Sequence, residues 1–274
     1  MYNFISNTTV QHAIFICALI AISLPNIVQR KNEIEFRRQI VYDASHFFIY
    51  QSILGAYISY LSVFYFPILL SREIAGLLNL LPDVSPLRGM PQWCIIIIYF
   101  IYWDFLAYIF HRTSHNVEIL WKIHKYHHST IYFTGFTAYR VSFIENGLRI
   151  CFYTTLLLPV IGQIADPPPW IGYLLGVFTF TKHNEYFCKK NFYWWPEFVI
   201  QSPRMHWLHH SLDGPYGKNF AEFFSVWDVL FGTNEYTYKN RQSDFETYKI
   251  GVKERVTPNY YNDCIDIWKS FTNK

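Results

Sequence analysis

Hydrophobic and polar positions along this chain come in long blocks. Residues 13–28 (AIFICALIAISLPNIV) form an apolar block interrupted only by Ser23, Pro25 and Asn26. A charged connector, QRKNEIEFRR at 29–38, separates it from residues 47–70, which carry no charge and exceed the roughly 20 residues a helix needs to cross a bilayer. The pattern predicts a span over each block. The Pro-rich LPDVSPLRGMP at 81–91 reads as a turn region. Residues 93–110 (WCIIIIYFIYWDFLAYIF) predict a further span, whose single charge, Asp104, lies near the end that leads into His111. Two shorter apolar pieces, 150–165 and 170–180, are divided by DPPP and predict a hairpin that dips into or just crosses the membrane. From Thr181 onward the chain turns polar and aromatic and predicts no further span.

These elements predict an all-α polytopic membrane protein with about four to five apolar helices and a cytoplasmic, histidine-rich helical cap. One integral membrane domain is expected over residues 1–274. Residues 1–110 are mainly spans, 111–235 hold the histidines and the hairpin at 150–180, and 236–274 form a polar peripheral tail with an amphipathic stretch at 264–271. Basic residues set the orientation. Arg30, Lys31, Arg37 and Arg38 crowd the first connector, whereas the next holds Arg72 and Arg88, so the first is expected on the cytoplasmic side. Alternate threading then brings His111, His183 and the histidines at 206–210 out at that same face, with the tripeptide Asn7-Thr8-Thr9 on the other. The membrane is expected to be the endoplasmic reticulum in a eukaryote and the inner membrane in a bacterium.

Composition agrees with a membrane. Of the 274 residues, 51% are hydrophobic and 16% charged, against about 25% charged in an ordinary soluble domain. Aromatics, at 20%, suit interfacial belts and the lining of a lipid-sized cleft. A net charge of +3, with no basic run among interleaved aromatics, argues against nucleic acid. The five cysteines form no CxxC pair and predict reduced, structural thiols.

The candidate chemistry lies in the histidines. Nine of the 11 fall between 111 and 210: His111, His115, His124, His127, His128, His183, His206, His209 and His210. On a helix, the offset of four between His111 and His115, and the i, i+3, i+4 pattern at 124–128 and again at 206–210, stack side chains a turn apart, so their imidazoles can converge. One structural zinc takes four ligands and a catalytic one usually three, which leaves several histidines unused; two metals fit the number better. Imidazole suits zinc, copper, iron and nickel alike. A nitrogen-rich pair of metals at a membrane surface points to redox chemistry on O2, for which iron is the natural metal. The alternatives are a non-redox zinc hydrolase of membrane lipids and a membrane metal-binding or transport protein.

The runs HRTSH, LWKIHKYHHS, SPRMHWLHHS and WDVLFGT, from about Trp103 to Thr233, resemble the membrane fatty acid hydroxylase superfamily, also called the sterol desaturase family. The resemblance implies an integral membrane enzyme with two irons bound by histidine boxes, using O2 and electrons from a separate carrier or reductase to hydroxylate or desaturate a lipid, either a sterol or a fatty acyl or alkyl chain. It implies that His111, His115, His124, His127, His128, His206, His209 and His210 are metal ligands, and that His183 is similar to the isolated histidine between the family's second and third boxes. Many relatives carry an arginine, then His-Pro, then a glutamate after the second box. Here Arg140 and Glu145 stand in place, but Ser142 and Phe143 replace His-Pro, and Ala221 replaces a glycine after Asn219 and Phe220.

Metal-bound imidazoles usually donate their other N–H to a carboxylate or carbonyl. Asp104, two helical turns before His111, is a candidate for that role, as are Glu145 and Asn184. Asp228 reads as a brace for a turn, Arg140 as a partner for a supporting carboxylate, and Trp194, Trp195 and Trp207 as interface anchors.

Overall fold

The computed structural model describes residues 7–48, 73, 76, 87, 89–161, 169–189, 196–213, 217–236, 248–253, 268, 269 and 272. Among them the structure is helical and contains no strand, as the block pattern predicts. The predicted span at 47–70 beyond Phe48, Trp194, Trp195 and most of the tail after residue 236 lie outside the described residues.

The central element is α3, Gln92–Asn116, which starts after Pro91 and runs from the apolar block straight into HRTSH. Its 25 residues reach about 37 Å at 1.5 Å per residue, enough for a hydrocarbon layer of about 30 Å. Only 33% of its most apolar window is buried, and Trp93, Ile97 and Ile101 are exposed. A core helix of a soluble protein would hide that face. Among the described residues α3 is the one helix long and apolar enough to span, beside a shorter apolar stretch, Ala13–Gln29. Most of the expected span at 47–70 lies outside the described residues, so this is a count of the described helices alone.

That shorter stretch belongs to α1, Asn7–Gln29, which continues through Pro25. Its polar end is a docking point. Asn26 Nδ2 donates to the Phe133 carbonyl at 2.9 Å, and Asn26 Oδ1 accepts from Tyr186 N at 2.8 Å. Arg30 pairs with Glu185. The connector and the histidine region thus lie on one side of the molecule. Helix α2, Ile34–Phe47, packs on the 3-10 turn Phe136–Tyr139.

After α3 the chain bends at one residue. Val117 is extended (φ −102, ψ 115) and serves as both the C-cap of α3 and the N-cap of α4, Glu118–His128. A β-branched side chain favours that backbone. The two apolar pieces expected as a hairpin are helices α5, Phe143–Ile161, and α6, Pro169–Lys182, whose connection lies outside the described residues; α3 packs against both α4 and α5, and α6 packs on α1. Two short helices complete the cap: α7, Glu185–Lys189, and α8, Pro203–His209. Helix α8 is well specified by sequence, because Pro203 fills a first-turn position and the Ser202 side chain accepts from Met205 N. The last described helix is α9, Val226–Leu230.

Gly135 fixes the loop between α4 and α5. Its φ is +82, and an added Cβ would stand 2.3 Å from the Phe180 ring, while its N–H donates to the His183 carbonyl at 2.6 Å. Only glycine meets both demands.

Two sequence expectations are corrected here. Asp104 faces away from the imidazoles, and its carboxylate accepts from Phe223 N at 2.8 Å, Phe224 N at 2.9 Å and Trp227 Nε1 at 2.9 Å. It ties the loop before α9 to α3 because that loop crosses the helix at this level. Trp207 is no interface anchor. It is buried with Phe133, Cys188, Leu208 and Ile250, and its Nε1 donates to the Tyr248 carbonyl. The four described cysteines are unpaired, as expected.

Asp104→Ala leaves three buried donors without an acceptor, so thermal unfolding in detergent should show a loss of about 2–4 kcal/mol, partly restored by Asp104→Asn. Gly135→Ala should lower the same transition by roughly 1–3 kcal/mol, from backbone strain and the clash with Phe180.

Candidate metal centre

The nine histidines singled out by spacing form two adjacent groups. His111 and His115 from α3, His124 and His128 from α4, and His209 from α8 make the first; His127, His183, His206 and His210 make the second. Within each, the nitrogens available for a metal lie within 4.8 Å of one another. Helical geometry explains the division. In each HxxHH run the residues at i and i+4 share a face while i+3 is rotated away, so His124 and His128 part from His127, and His206 and His210 part from His209. The groups touch, with the rings of His128 and His210 stacked 4.0 Å apart between centroids.

The outer nitrogens are held. His111 Nδ1 bonds the Phe220 carbonyl at 2.8 Å, His209 Nδ1 the Lys218 carbonyl at 2.8 Å, and His183 Nδ1 the Thr179 carbonyl at 2.7 Å. His124 Nδ1 meets Glu145 Oε1 at 2.9 Å. A carbonyl or carboxylate acceptor requires the proton on Nδ1, which leaves the Nε2 lone pair for the interior. Nε2 of His111, His124 and His209 is buried without a protein partner. In the second group, His183 Nε2 lies 2.7 Å from His206 Nε2 and 3.4 Å from His127 Nε2. Lone pairs gathered so closely need a cation or a proton between them.

Burial first, and then neighbouring imidazoles, push His127, His128, His206 and His210 well below the usual 6.5. Burial takes His183 and His209 to about 3. Glu145 is buried, which would raise its carboxyl, but His124 and Arg149 outweigh this and hold it below the ordinary carboxylate value. Neutral imidazoles and an ionised carboxylate are the donor set that nitrogen-binding transition metals take.

Of the other residues picked from sequence, Glu145 alone meets an imidazole directly. Arg140 Nε lies 3.3 Å from Asp43 Oδ1, and its guanidinium covers the Tyr42 and Tyr126 rings. Asn184 bridges helices, donating to the Ile22 carbonyl and accepting from Tyr186 N. Asp228 braces a turn, accepting from Phe220 N, Ala221 N and Thr233 Oγ1, and so steadies the carbonyl that holds His111. Sequence reasoning missed Asp43, which accepts from Thr134 and Thr137 under the loop after α4. It also missed Lys182, Glu222 and Arg149. For Lys182 and Arg149 the signal was present, as charges at the ends of apolar blocks; Glu222 lies in a polar, aromatic stretch and carried none.

A cavity of about 340 Å³ opens beneath the histidines and reaches members of both groups, His111, His124, His127, His183 and His206. Its walls come from α3 (Trp103, Ala107, Phe110), α5 (Arg149, Tyr153) and α6 (Leu175, Gly176, Thr179).

Elemental analysis of purified protein should find about two metal ions per chain. The double change His206→Ala, His210→Ala reduces the group of four to two, below the three that a catalytic site uses, and should remove about one ion; His209→Ala leaves four imidazoles in the other group and should retain about two.

The fatty acid hydroxylase family pattern matches residues 96–233. An alkylglycerol monooxygenase of Xenopus tropicalis is 26% identical over 228 residues, covering 72% of this chain and 47% of its own. An ornithine lipid hydroxylase of Rhizobium tropici is 31% identical over 140 residues, covering 47% of this chain and 38% of its own. A methylsterol monooxygenase of Arabidopsis thaliana is 27% identical over 169 residues, covering 60% and 55%. The chain spans about half the length, or less, of these curated relatives. No solved structure matches it. The matched stretch covers half of the sequence, including every histidine of both groups, and the chain belongs to the fatty acid hydroxylase family.

Proposed function

We propose that this chain is a membrane oxygenase that hydroxylates a lipid with O2 and externally supplied electrons. The observation that carries this reading is the pair of touching imidazole groups over one cavity that reaches both. Two irons fit the donors, with His111, His115, His124, His128 and His209 holding one and His127, His183, His206 and His210 the other. Iron bound there supplies the redox chemistry with O2 that breaking an unactivated C–H bond demands and that acid-base side chains lack. Nine imidazoles exceed the three or four of a zinc hydrolase. Alkylglycerol and methylsterol monooxygenases and an ornithine lipid hydroxylase stand beside a sterol desaturase among the relatives, and the balance of these names favours hydroxylation.

The chain's own residues prepare the site. Glu145 accepts the His124 proton and fixes its tautomer; the carbonyls of Phe220, Lys218 and Thr179 do the same for His111, His209 and His183. Phe110, Trp103 and Leu175 wall the cavity with apolar surface that excludes bulk water. A lipid enters between α3, α5 and α6 from the bilayer that the exposed faces of α1 and α3 contact. The histidine region, joined to the basic connector through Arg30, faces the cytoplasm, where a separate electron carrier or reductase docks.

Iron-reconstituted protein, supplied with O2, a reductant and lipid extract, should form hydroxylated lipids detectable by mass spectrometry. The His124→Ala, His127→Ala, His128→Ala triple variant should form none. Glu145→Gln should bind iron about 10- to 100-fold more weakly while remaining folded. A wild-type protein that holds iron but consumes no O2 with any lipid would refute the proposal.

A further inference from the structure

The exposed stripe of α3 leads to a second apolar surface. Trp93, Ile97 and Ile101 are exposed along one face, and at about 100° per residue Phe105, Tyr108 and Arg112 continue that face towards the histidines. There α9 covers it. The Trp227 ring stands 5.1 Å from Phe105 between centroids, and the Phe231 ring 6.3 Å from Phe105 and 5.4 Å from Tyr108.

The outer side of α9 is itself uncovered. Val229, Leu230 and Phe231 are exposed in succession, Leu230 at 68%. Three consecutive exposed apolar residues are a fault in a water-facing turn unless they have a function. The polar groups of the segment turn inward instead. Asp228 accepts from Phe220 N, Ala221 N and Thr233 Oγ1, and Trp227 Nε1 donates to Asp104. The N–H groups of Val229, Phe231, Gly232 and Thr233 donate to the carbonyls of Ser225, Trp227, Val229 and Asp228. A segment whose donors are met internally can lie in hydrocarbon, where no water would meet them.

Two cations stand at its edge. The Arg112 guanidinium lies 5.9 Å from the Phe231 ring centroid and donates to the Tyr108 hydroxyl at 3.2 Å, and Lys218 Nζ donates to the Gly232 carbonyl at 3.1 Å. The rise of α3 sets their level. From Trp93 to Arg112 it is about 28 Å, close to the roughly 30 Å of a hydrocarbon layer. Phe105 and Tyr108, with α9 against them, lie about 6–10 Å short of Arg112, the depth to which an interfacial helix sinks.

We propose that residues 229–231 are an in-plane membrane contact, seated among the acyl chains of the leaflet nearest the histidines, with Arg112 and Lys218 meeting the phosphates above them. The continuity of α9 with the lipid-facing stripe of α3 favours a bilayer over a protein partner, and the flanking cations suit its phosphate layer. The contact bears on the metal centre, because Asp228 of the same helix holds Phe220 N, and the Phe220 carbonyl holds His111. The depth of α9 therefore fixes the height of the first imidazole group above the bilayer. This rests on the reading of α3 as a membrane span and not on any chemistry at the histidines.

Photo-crosslinking of the chain in nanodiscs of phosphatidylcholine and phosphatidylglycerol tests it. The photoreactive residue p-benzoylphenylalanine is placed at Leu230, at Ile97 on the exposed stripe, or at Glu118, whose side chain is 83% exposed, and adducts are identified by mass spectrometry. Leu230 should give lipid adducts on the acyl chain in a yield comparable to Ile97 and several-fold above Glu118. Val229 provides a second position, with the same expectation, should the change at Leu230 impair folding. A yield at Leu230 no higher than at Glu118, with Ile97 labelled, would overturn the proposal, as would crosslinking of Leu230 to a second copy of the chain or to another protein. Adducts at Leu230 with none at Ile97 would keep the lipid contact and refute the span. Neither iron nor turnover enters the measurement, so its outcome is separate from that of the oxygenase assay.

Discussion

Nine imidazoles buried within touching distance can coexist only as neutral lone-pair donors. In a low-dielectric interior a protonated ring beside another would cost several kcal/mol, and burial duly drives His128 and His209 of the first group and all four rings of the second towards the neutral form. Neutral rings bring a second demand, since nitrogens as close as those of His183 and His206 repel unless something positive is shared between them. Much of the cap follows from meeting both demands. Helices α3, α4 and α8 deliver the rings, the end of α6 delivers His183, and loops supply the carbonyls that set the tautomers.

The carboxylates divide their labour around this centre. Glu145 meets a ring directly, while Asp104 and Asp228 act on the backbone of one loop, residues 220–225, at successive points. That loop also carries Phe220, whose carbonyl holds His111, and Glu222, which enters the cavity. A single irregular segment therefore joins support of a ring, anchorage to α3 and the chemistry of the cavity wall. Buried carboxylates that accept several N–H bonds give such a loop the rigidity that helices have from their own backbone.

Much of the architecture was readable from residue order. The HxxHH spacing contained not only the two groups but their membership, because i and i+4 share a helical face while i+3 does not. The apolar blocks located α1, α3, α5 and α6, although α1 and α5 each start six or seven residues earlier than their blocks and α3 runs six residues beyond its own. Asp104 misled because two helical turns place it on the same stripe as His111 only for a chain with nothing else nearby; the loop before α9, more than a hundred residues later, claims it. The acceptors at Thr179, Lys218 and Phe220 are backbone atoms, which any side chain could carry, so residue identity held no trace of them. Asp43 and Arg140 sit nearly a hundred positions apart, and their pairing depends on α2 folding back over the loop after α4. Glu145 was found through resemblance, and its contact with His124 gives that resemblance a physical basis.

The bend at Val117 carries a consequence for how such a chain can change over time. With a single extended residue between α3 and α4, no slack separates the first pair of histidines from the second trio. One residue gained or lost within α4 ahead of His124 would turn every later ring by about 100° and advance it by about 1.5 Å. A gained residue would carry His127 into the place of His128, and a lost one would carry His128 into the place of His127, so in either case a ring would answer to the wrong group. The eight positions between His115 and His124 can drift in identity far more freely than in number, so in this part of the chain length itself is inherited information.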